Sequence, residues 1–391
     1  LARLLATQAG HDPRGLVGWD LPAELAGVQI LSASAARGVI GVVADQGRLT
    51  GVLAARGGPF TLLDAEERDL RTAGFGQALG ALARPGSPVA RIGWVERTAP
   101  QSVDELSQHL ADHQALPDGH PALASYREAI RDAGPVARRH EVLIALTIAC
   151  GRARRTRGAR DHTGPAAVLV RELAHLERRL RACEVEVEGA LTPRLLARAL
   201  RAGLDAVPAP SGDEPPAAPA GSGGPLAREE GWGLCRTDGS CHVTYWVAEW
   251  PRVEVGSDAL APLLLGTAAR RAVSLVMEPL DPRRARRAVE AARTNEAGDD
   301  ELRARMGFLA TARRRRRQEA VEAEEQELAD GHAAFRFAGY VTVSADGLAA
   351  LEEACAEVEQ AAQMARLELR RLWGEQALGL TFTLPLGRGL G

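Results

Sequence analysis

Short apolar runs separated by turn residues predict a strand-rich first half of the chain, because buried strands show runs of about four to eight apolar positions. Asp64 can cap a helix in which Leu70, Phe75 and Leu79 recur at roughly helical spacing. The elements predicted before residue 207 are strands at Val39–Ala44, Leu49–Ala55, Phe60–Leu63, Val89–Val95, Glu141–Ala149 and Glu184–Glu188, and helices after Asp64 and near Val103–Ala111, Ala122–Ala133, Pro165–Ala182 and Pro193–Leu204.

The second half opens with an aromatic hairpin at Trp232–Trp250, whose turn residues are Asp238 and Gly239. Its further predicted elements are helices at Ala259–Leu264, Arg283–Ala329 (broken near Gly298) and Gly347–Gln363, and strands at Ala272–Glu278, Ala334–Val343, Leu367–Leu372 and Leu378–Leu384. The repeated β-α-β order indicates an α+β fold made of two ferredoxin-like sandwich lobes.

A segment of small residues and proline separates the two halves. Val207–Pro225 lacks large apolar side chains after its first residue, so it cannot form a packed core. We predict an N-terminal lobe over residues 1–206, a flexible linker over 207–226, and a C-terminal lobe over 227–391 with long helices rich in arginine and glutamate.

The composition narrows the classes of function. The 391 residues include 48 basic and 51 acidic side chains, for a net charge of −3, and every basic residue is arginine. Without lysine there is no phosphate-binding lysine of a P-loop, no Schiff-base lysine and no kinase strand lysine. The sequence also has no G-x-S-x-G or H-E-x-x-H motif. We therefore predict a protein that is not an enzyme and has no cofactor.

Cysteine usage and hydropathy indicate the compartment. Five cysteines scattered through a long chain are typical of a reducing environment. The longest apolar runs fall well short of the roughly 20 residues that span a bilayer. The chain begins at Leu1, without a methionine or a signal-peptide pattern, so we expect any membrane anchor in an upstream segment.

Two groups of residues have the composition of metal sites. His109 and His113 lie four residues apart on a predicted helix, but no third ligand shares their register, so an ordinary surface is favoured. Cys235 and Cys241 form the second group. A two-residue hairpin turn would pair Cys235 with His242 and direct the two thiols to opposite faces, whereas an odd-length loop would bring them together.

Arginine is concentrated in two stretches, either of which could contact phosphates. Arg313–Arg317 precedes a run of glutamates, which favours a solvated helix face with internal ion pairs. The second stretch has no acidic residue before Asp161 and is the better candidate for an acidic partner, nucleic acid or lipid head groups. Its arginines are Arg152, Arg154, Arg155, Arg157 and Arg160.

The hairpin carries an unusual concentration of aromatic residues. Strand alternation places Tyr245 on one face and Trp246 and Trp250 on the other, with Trp232 preceding them. One aromatic face can enter the core of the protein. The second face must then be covered by another lobe or by another protein, and these alternatives stay open.

Two stretches carry a resemblance to known proteins. His242–Leu280, with its tryptophan-proline pair before a leucine-rich helix, and Gly339–Leu390, with its terminal LPLG, resemble a family of actinobacterial conjugative-transfer proteins. That family is similar to the N-terminal, non-motor part of the conjugation ATPase of type IV secretion systems. Weaker likeness covers Ile30–Gly57, His140–Cys150 and Arg171–Arg194.

The resemblance implies a membrane-associated component of a conjugation machine that works beside a separate motor ATPase. No catalytic residue carries over, because the matched stretches contain none. We therefore expect a scaffold or coupling subunit at the cytoplasmic face of the cell membrane, oligomeric in its assembly and in contact with the ATPase and other secretion subunits. The alternative is a DNA-binding or DNA-processing protein of a conjugative element, which would use its arginine clusters on nucleic acid.

Overall fold

The computed structural model describes residues 23–25, 27–56, 60–100, 107, 110–133, 138–155, 164–204, 228–251, 253, 255–287, 289, 291, 322–323, 325–330 and 332–390. The predicted linker, Arg313–Arg317 and most of the helical stretch predicted at Arg283–Ala329 lie outside these residues, and the described parts of that stretch, 283–287, 289, 291, 322–323 and 325–329, are helical. Most of the helix predicted at Val103–Ala111 lies outside them as well.

Among the described residues, twelve strands and eight α-helices have defined bounds, and further helical segments lie at 110–113, 282–287 and 325–329. The strands are β1 (Gln29–Ala35), β2 (Gly38–Asp45), β3 (Arg48–Arg56), β4 (Val89–Pro100), β5 (Arg138–Ala149), β6 (Glu186–Ala190), β7 (Arg228–Glu230), β8 (Cys235–Thr237), β9 (Ser240–Glu249), β10 (Arg271–Pro279), β11 (Phe335–Ala345) and β12 (Glu368–Arg371). The helices are α1 (Ala65–Gly80), α2 (Pro121–Ala133), α3 (Cys150–Arg155), α4 (Pro165–Ala182), α5 (Pro193–Leu204), α6 (Ala261–Leu265), α7 (Leu348–Met364) and α8 (Gln376–Phe382).

These strands form one antiparallel sheet across both halves of the chain. Its order is β1-β2-β3-β5-β4-β10-β11-β9-β8-β7, while β6 pairs with β3 and β12 pairs with β9. The halves meet where β4 pairs with β10, with Trp94 opposite Leu275. The chain is therefore an α+β protein built on a continuous sheet.

The same arrangement of strands occurs on both sides of that junction. The first half has the order β6-β3-β5-β4, and the second has the order β12-β9-β11-β10. In each half a hydrogen bond between two buried threonine hydroxyls joins the first of these strands along the chain to the third, which are β3 and β5 in the first half and β9 and β11 in the second. The oxygen–oxygen distance is 2.8 Å between Thr50 and Thr147 and 2.9 Å between Thr244 and Thr342.

Helices cover both faces of the sheet. The helices α4, in the first half, and α7, in the second, lie on the same face of the sheet. Val273 and Met277 are four residues apart on β10 and therefore point to one face, and they enter the core clusters under α7 and α4, respectively. The opposite face carries α5 and α8, since Val52 and Leu53 are neighbours on β3 and enter different clusters. Alternation along the strands therefore supplies apolar side chains to a core on each face of the sheet.

The last described segment runs over the junction between the halves. The guanidinium of Arg91, on β4, donates a hydrogen bond of 3.1 Å to the carbonyl of Gly387 and another to that of Leu390. The Tyr340 hydroxyl donates to the carbonyl of Gly389, and Arg388 pairs with Asp45 at 2.9 Å. This segment therefore ties β2 and β4 to β11.

Most predicted strands and the caps of two helices are present. Asp64 accepts a hydrogen bond of 2.8 Å from the Glu67 backbone at the start of α1, and Thr192 accepts one of 3.3 Å from that of Leu195 at the start of α5. Two strand predictions were wrong. Residues Phe60–Leu62 form a 3-10 turn, and most of Leu378–Leu384 belongs to α8.

Both errors concern apolar runs that are too short for their periodicity to distinguish strand from helix. In α8, the buried Gln376 side chain accepts from the Thr244 backbone N–H at 2.7 Å and donates to its carbonyl at 3.2 Å, so a helix completes the edge of β9. The strands β1 and β7 were not predicted. The division into two lobes stays a prediction, since both halves share the sheet.

Candidate functional site

The hairpin formed by β8 and β9 has the predicted turn. Cys235 pairs with His242, and Thr237 pairs with Ser240. Cys235 and Cys241 enter core clusters on opposite faces, which confirms that their thiols diverge. Burial raises the pKa of Cys235 to about 11, so this thiol stays protonated at neutral pH. The geometry does not form a thiolate cluster.

Tyr245 lies in the core at the centre of β9. Its hydroxyl donates a hydrogen bond of 2.7 Å to Glu359 on α7 and accepts one of 3.2 Å from Arg371 on β12. Burial raises the pKa of Tyr245, so the hydroxyl keeps its proton and can donate to the carboxylate. This side chain joins the sheet, the edge strand and α7.

Trp246 and Trp250 do not share the environment predicted for them. Trp246 is 39% exposed and lies opposite Tyr340 and Arg370, on the face away from Tyr245. Trp250 instead packs edge-on against Phe337, with 5.4 Å between ring centroids, in the cluster that contains Tyr245. The prediction was wrong for Trp250 because β9 ends at Glu249, where strand alternation no longer applies.

An exposed pair of tryptophans lies beside this edge of the sheet. Trp232 is 74% exposed and Trp373 is 55% exposed. Each ring lies over a glycine next to the other tryptophan: a Cβ on Gly233 would lie 2.5 Å from the Trp373 ring, and one on Gly374 would lie 2.9 Å from the Trp232 ring. The Trp232 carbonyl also accepts the Gly374 N–H at 2.7 Å. The backbone therefore holds the two rings together.

Arg371 connects this pair to the core. Its guanidinium carbon lies 5.1 Å from the centroid of the Trp373 ring and 5.6 Å from that of Tyr245, within the range of cation–π contacts. We call Trp232, Arg371 and Trp373 the tryptophan patch. Rigid aromatic rings with an ordered arginine are the composition of binding hot spots. Sequence reasoning missed Trp373 because it is remote in the chain from the hairpin.

The second group of candidate arginines is described only in part. Arg152, in α3, is exposed and its guanidinium donates to the Val89 carbonyl at 3.4 Å. The side chains of Arg154 and Arg155, and all of Arg157 and Arg160, lie outside the described residues. Contact of this cluster with a partner therefore stays a prediction.

The described residues contain no group of three side chains able to hold a metal ion. His109 lies outside them, and His113 is exposed at the end of its helical turn.

A buried acid-histidine contact also escaped the sequence analysis. Glu96, 4% exposed, lies 2.7 Å from Nδ1 of His140 and accepts a hydrogen bond of 2.5 Å from Thr98. Thr98 also approaches Nδ1, at 3.1 Å, so hydroxyl and carboxylate share one ring nitrogen. A nucleophilic relay needs them on opposite nitrogens. The contact therefore lacks the geometry of such a relay.

No protein-family model matches the chain, and no curated protein matches it. Among the described residues, no helix combines the length and the apolar character that a membrane span requires.

Proposed function

We propose that this chain is a non-catalytic scaffold or coupling component of a conjugative DNA-transfer apparatus of the type IV secretion kind. It would dock a separate motor ATPase at the cytoplasmic face of the membrane. The assignment to conjugation rests on the sequence resemblance in the segments His242–Leu280 and Gly339–Leu390. The docking role rests on the tryptophan patch, which both segments help to build: Tyr245 supports Arg371, and Arg371 supports Trp373.

The docking argument rests on the tryptophan patch because it exposes two large tryptophan side chains to solvent. A tryptophan side chain buries a large apolar area on binding. Two exposed rings held by neighbouring glycines lose little conformational freedom when a partner covers them. We infer that they are anchors for a partner protein.

We further infer that the chain consists of two ferredoxin-like lobes fused along one sheet. The supporting observation is the strand order, which is the same in the two halves and antiparallel throughout. Each half also contributes a long helix, α4 or α7, between the last two strands of its set.

Capture from the native host tests the docking role. The full-length protein and its Trp232→Ala/Trp373→Ala variant are purified from membranes under mild salt, and the amount of conjugation-type ATPase that accompanies each is measured. We expect the amount of ATPase recovered with the variant to be at least about tenfold lower, because removing hot-spot residues weakens binding by that much or more. Tyr126→Ala/Leu70→Ala is the matched control, because both residues are more than half exposed but lie on α2 and α1.

Equal recovery of the ATPase with both variants would contradict docking through the patch. Circular dichroism of each purified variant separates this result from loss of folding.

The alternative, a DNA-binding or DNA-processing protein of a conjugative element, is favoured by the exposed Arg152 in the predicted arginine stretch. It predicts DNA affinity that falls steeply with salt, by about one unit of log–log slope for each phosphate neutralised. Recovery of the protein with nucleic acid and without a motor would support this alternative.

A further inference from the structure

The solvent face of α4 is basic. Its outward positions are Ala167, Arg171, Ala174 and Arg178, spaced by four, three and four residues, so they lie along one line on the helix. Arg171 and Arg178 are exposed, and along this line the small side chain of Ala174 lies between them. A partner helix can therefore approach closely between the two arginines.

The carboxylates of α4 do not cancel this charge. The helix contains two, and each is already engaged by two arginines. Glu172 is buried and accepts both 2.8 Å and 2.9 Å hydrogen bonds from Arg84, with Arg171 at 3.5 Å, while Glu177 lies 3.1 Å from Arg37 and 2.9 Å from Arg181. Since α4 carries four arginines and two glutamates, its excess charge is positive.

The corresponding helix of the second half has the opposite charge. Along α7 the outward positions are Ala349, Glu353, Ala356 and Gln360, with the same spacing as on α4. The helix carries four glutamates and no basic residue; Glu359 accepts from Tyr245 and Glu357 from the Ala268 backbone, while Glu352 and Glu353 are exposed. The strand order does not determine the sign of the charge on either helix, since the two helices occupy equivalent places in their halves.

The two helices also lie on the same face of one sheet, on opposite sides of the β4–β10 junction. If a second copy turns by half a rotation about an axis in the plane of the contact, its α7 faces α4 of the first copy and its α4 faces α7. Both contacts form at once, and the pair closes.

We propose that this chain forms a two-fold dimer in which the basic face of α4 in each copy docks on the acidic face of α7 in the other. Arg171 and Arg178 then face Glu353 and its neighbours across alanine-lined surfaces. Two exposed apolar side chains at the ends of α7, Leu348 and Met364, add contact area. The dimer does not depend on the proposed scaffold role.

Charge reversal tests the dimer. The full-length protein is examined by sedimentation velocity at 50 mM and 500 mM NaCl. We expect a dimer at low salt whose dissociation constant rises by about tenfold or more at high salt, because screening weakens exposed charge pairs. The variants Arg171→Glu/Arg178→Glu and Glu353→Arg/Gln360→Arg should each be monomeric, since like charges then face each other at both contacts.

Mixing the two variants provides the decisive measurement. In the mixed pair, reversed α4 faces reversed α7 and native α7 faces native α4, so we expect dimers to return. This recovery also shows that each variant is folded. The charge-matched control, Arg127→Glu/Arg236→Glu, alters α2 and β8 and should dimerise as the parent does.

A monomeric parent at 50 mM salt, dimers that survive both reversals, or a mixture that stays monomeric would each overturn the proposal. Binding of a DNA duplex or of anionic vesicles by a monomeric parent, lost in the α4 variant, would assign the basic face to a polyanion instead.

Discussion

The two halves of the sheet solve the same packing problem with different residues. At the position that follows the first threonine of each pair, the first half has Gly51 and the second has Tyr245. In the first half the helix fills the space, because a Cβ on Gly51 would lie 2.2 Å from Cδ1 of Leu173 on α4. In the second half the strand fills it, and Tyr245 contacts the smaller Cys355 on α7.

The two halves therefore share the same strand order but divide the side-chain volume differently between strand and helix. A large residue on the helix with glycine on the strand is equivalent to a large residue on the strand with a small one on the helix. The outward faces of the same helices are not constrained by the core, and there α4 is basic while α7 is acidic.

Truncating Tyr245 should break the second half most severely. We expect Tyr245→Ala to lower the free energy of unfolding by about 3–5 kcal/mol, because a large buried side chain leaves a cavity. Tyr245→Phe keeps the ring and should cost about 1–3 kcal/mol through the lost bonds to Glu359 and Arg371. Urea unfolding of the two variants measures both values. Equal losses in the free energy of unfolding would show that the hydroxyl, and not the ring, stabilises this half.

Adding volume to the strand should break the first half less severely. Gly51→Ala forces Leu173 to move, and we expect a loss of about 1–3 kcal/mol from overpacking. In a Leu173→Val background the same substitution should lower the free energy of unfolding by less, because valine lacks the clashing Cδ1 methyl group. A double-mutant cycle from urea unfolding gives the coupling. Additive losses would mean that strand and helix do not share this space.

The smallest effect concerns the charge of α4. Burial lowers the pKa of His175, and Arg178, Arg171 and Arg84 lower it further against the opposing effect of Glu172. The folded protein therefore disfavours the protonated form, so the stability contributed by neutral His175 is present above its ordinary pKa near 6.5 and is lost as the pH falls through the folded value. NMR titration should show the pKa of His175 rising in Arg178→Gln.

The matched control for this titration is Arg127→Gln, on α2, which should leave the His175 resonance unchanged. An unchanged His175 titration in Arg178→Gln would mean that the arginines of α4 do not act on the imidazole.

Sequence patterns predicted much of the framework. The strands near Val39, Leu49, Glu141 and Ala272 follow from apolar runs, and the α4 and α5 helices follow from periodic apolar positions with a suitable start. The prediction at Leu378–Leu384 was wrong because a short apolar run is compatible with both strand and helix, and the contact of Gln376 with Thr244 is long-range.

The candidate site was predicted less completely. Hairpin alternation correctly placed Tyr245 and Trp246 on opposite faces, but the tertiary fold was needed to show that Tyr245 enters the core and to place Trp250 and Trp373. Trp373 meets Trp232 only because β12 pairs with β9. No local pattern connects two residues so distant in the chain.

By itself, the sequence determined the α+β class, most of the strands, the turn at Asp238 and Gly239, and the divergence of Cys235 and Cys241. These features depend on local periodicity and turn chemistry. Only the tertiary structure decided that the two halves share one sheet, that the tryptophan patch exists, and that α4 and α7 present opposite charges on one face. The physical reason is that strand pairing and side-chain burial bring together residues hundreds of positions apart, and spacing along the chain carries no information about such contacts.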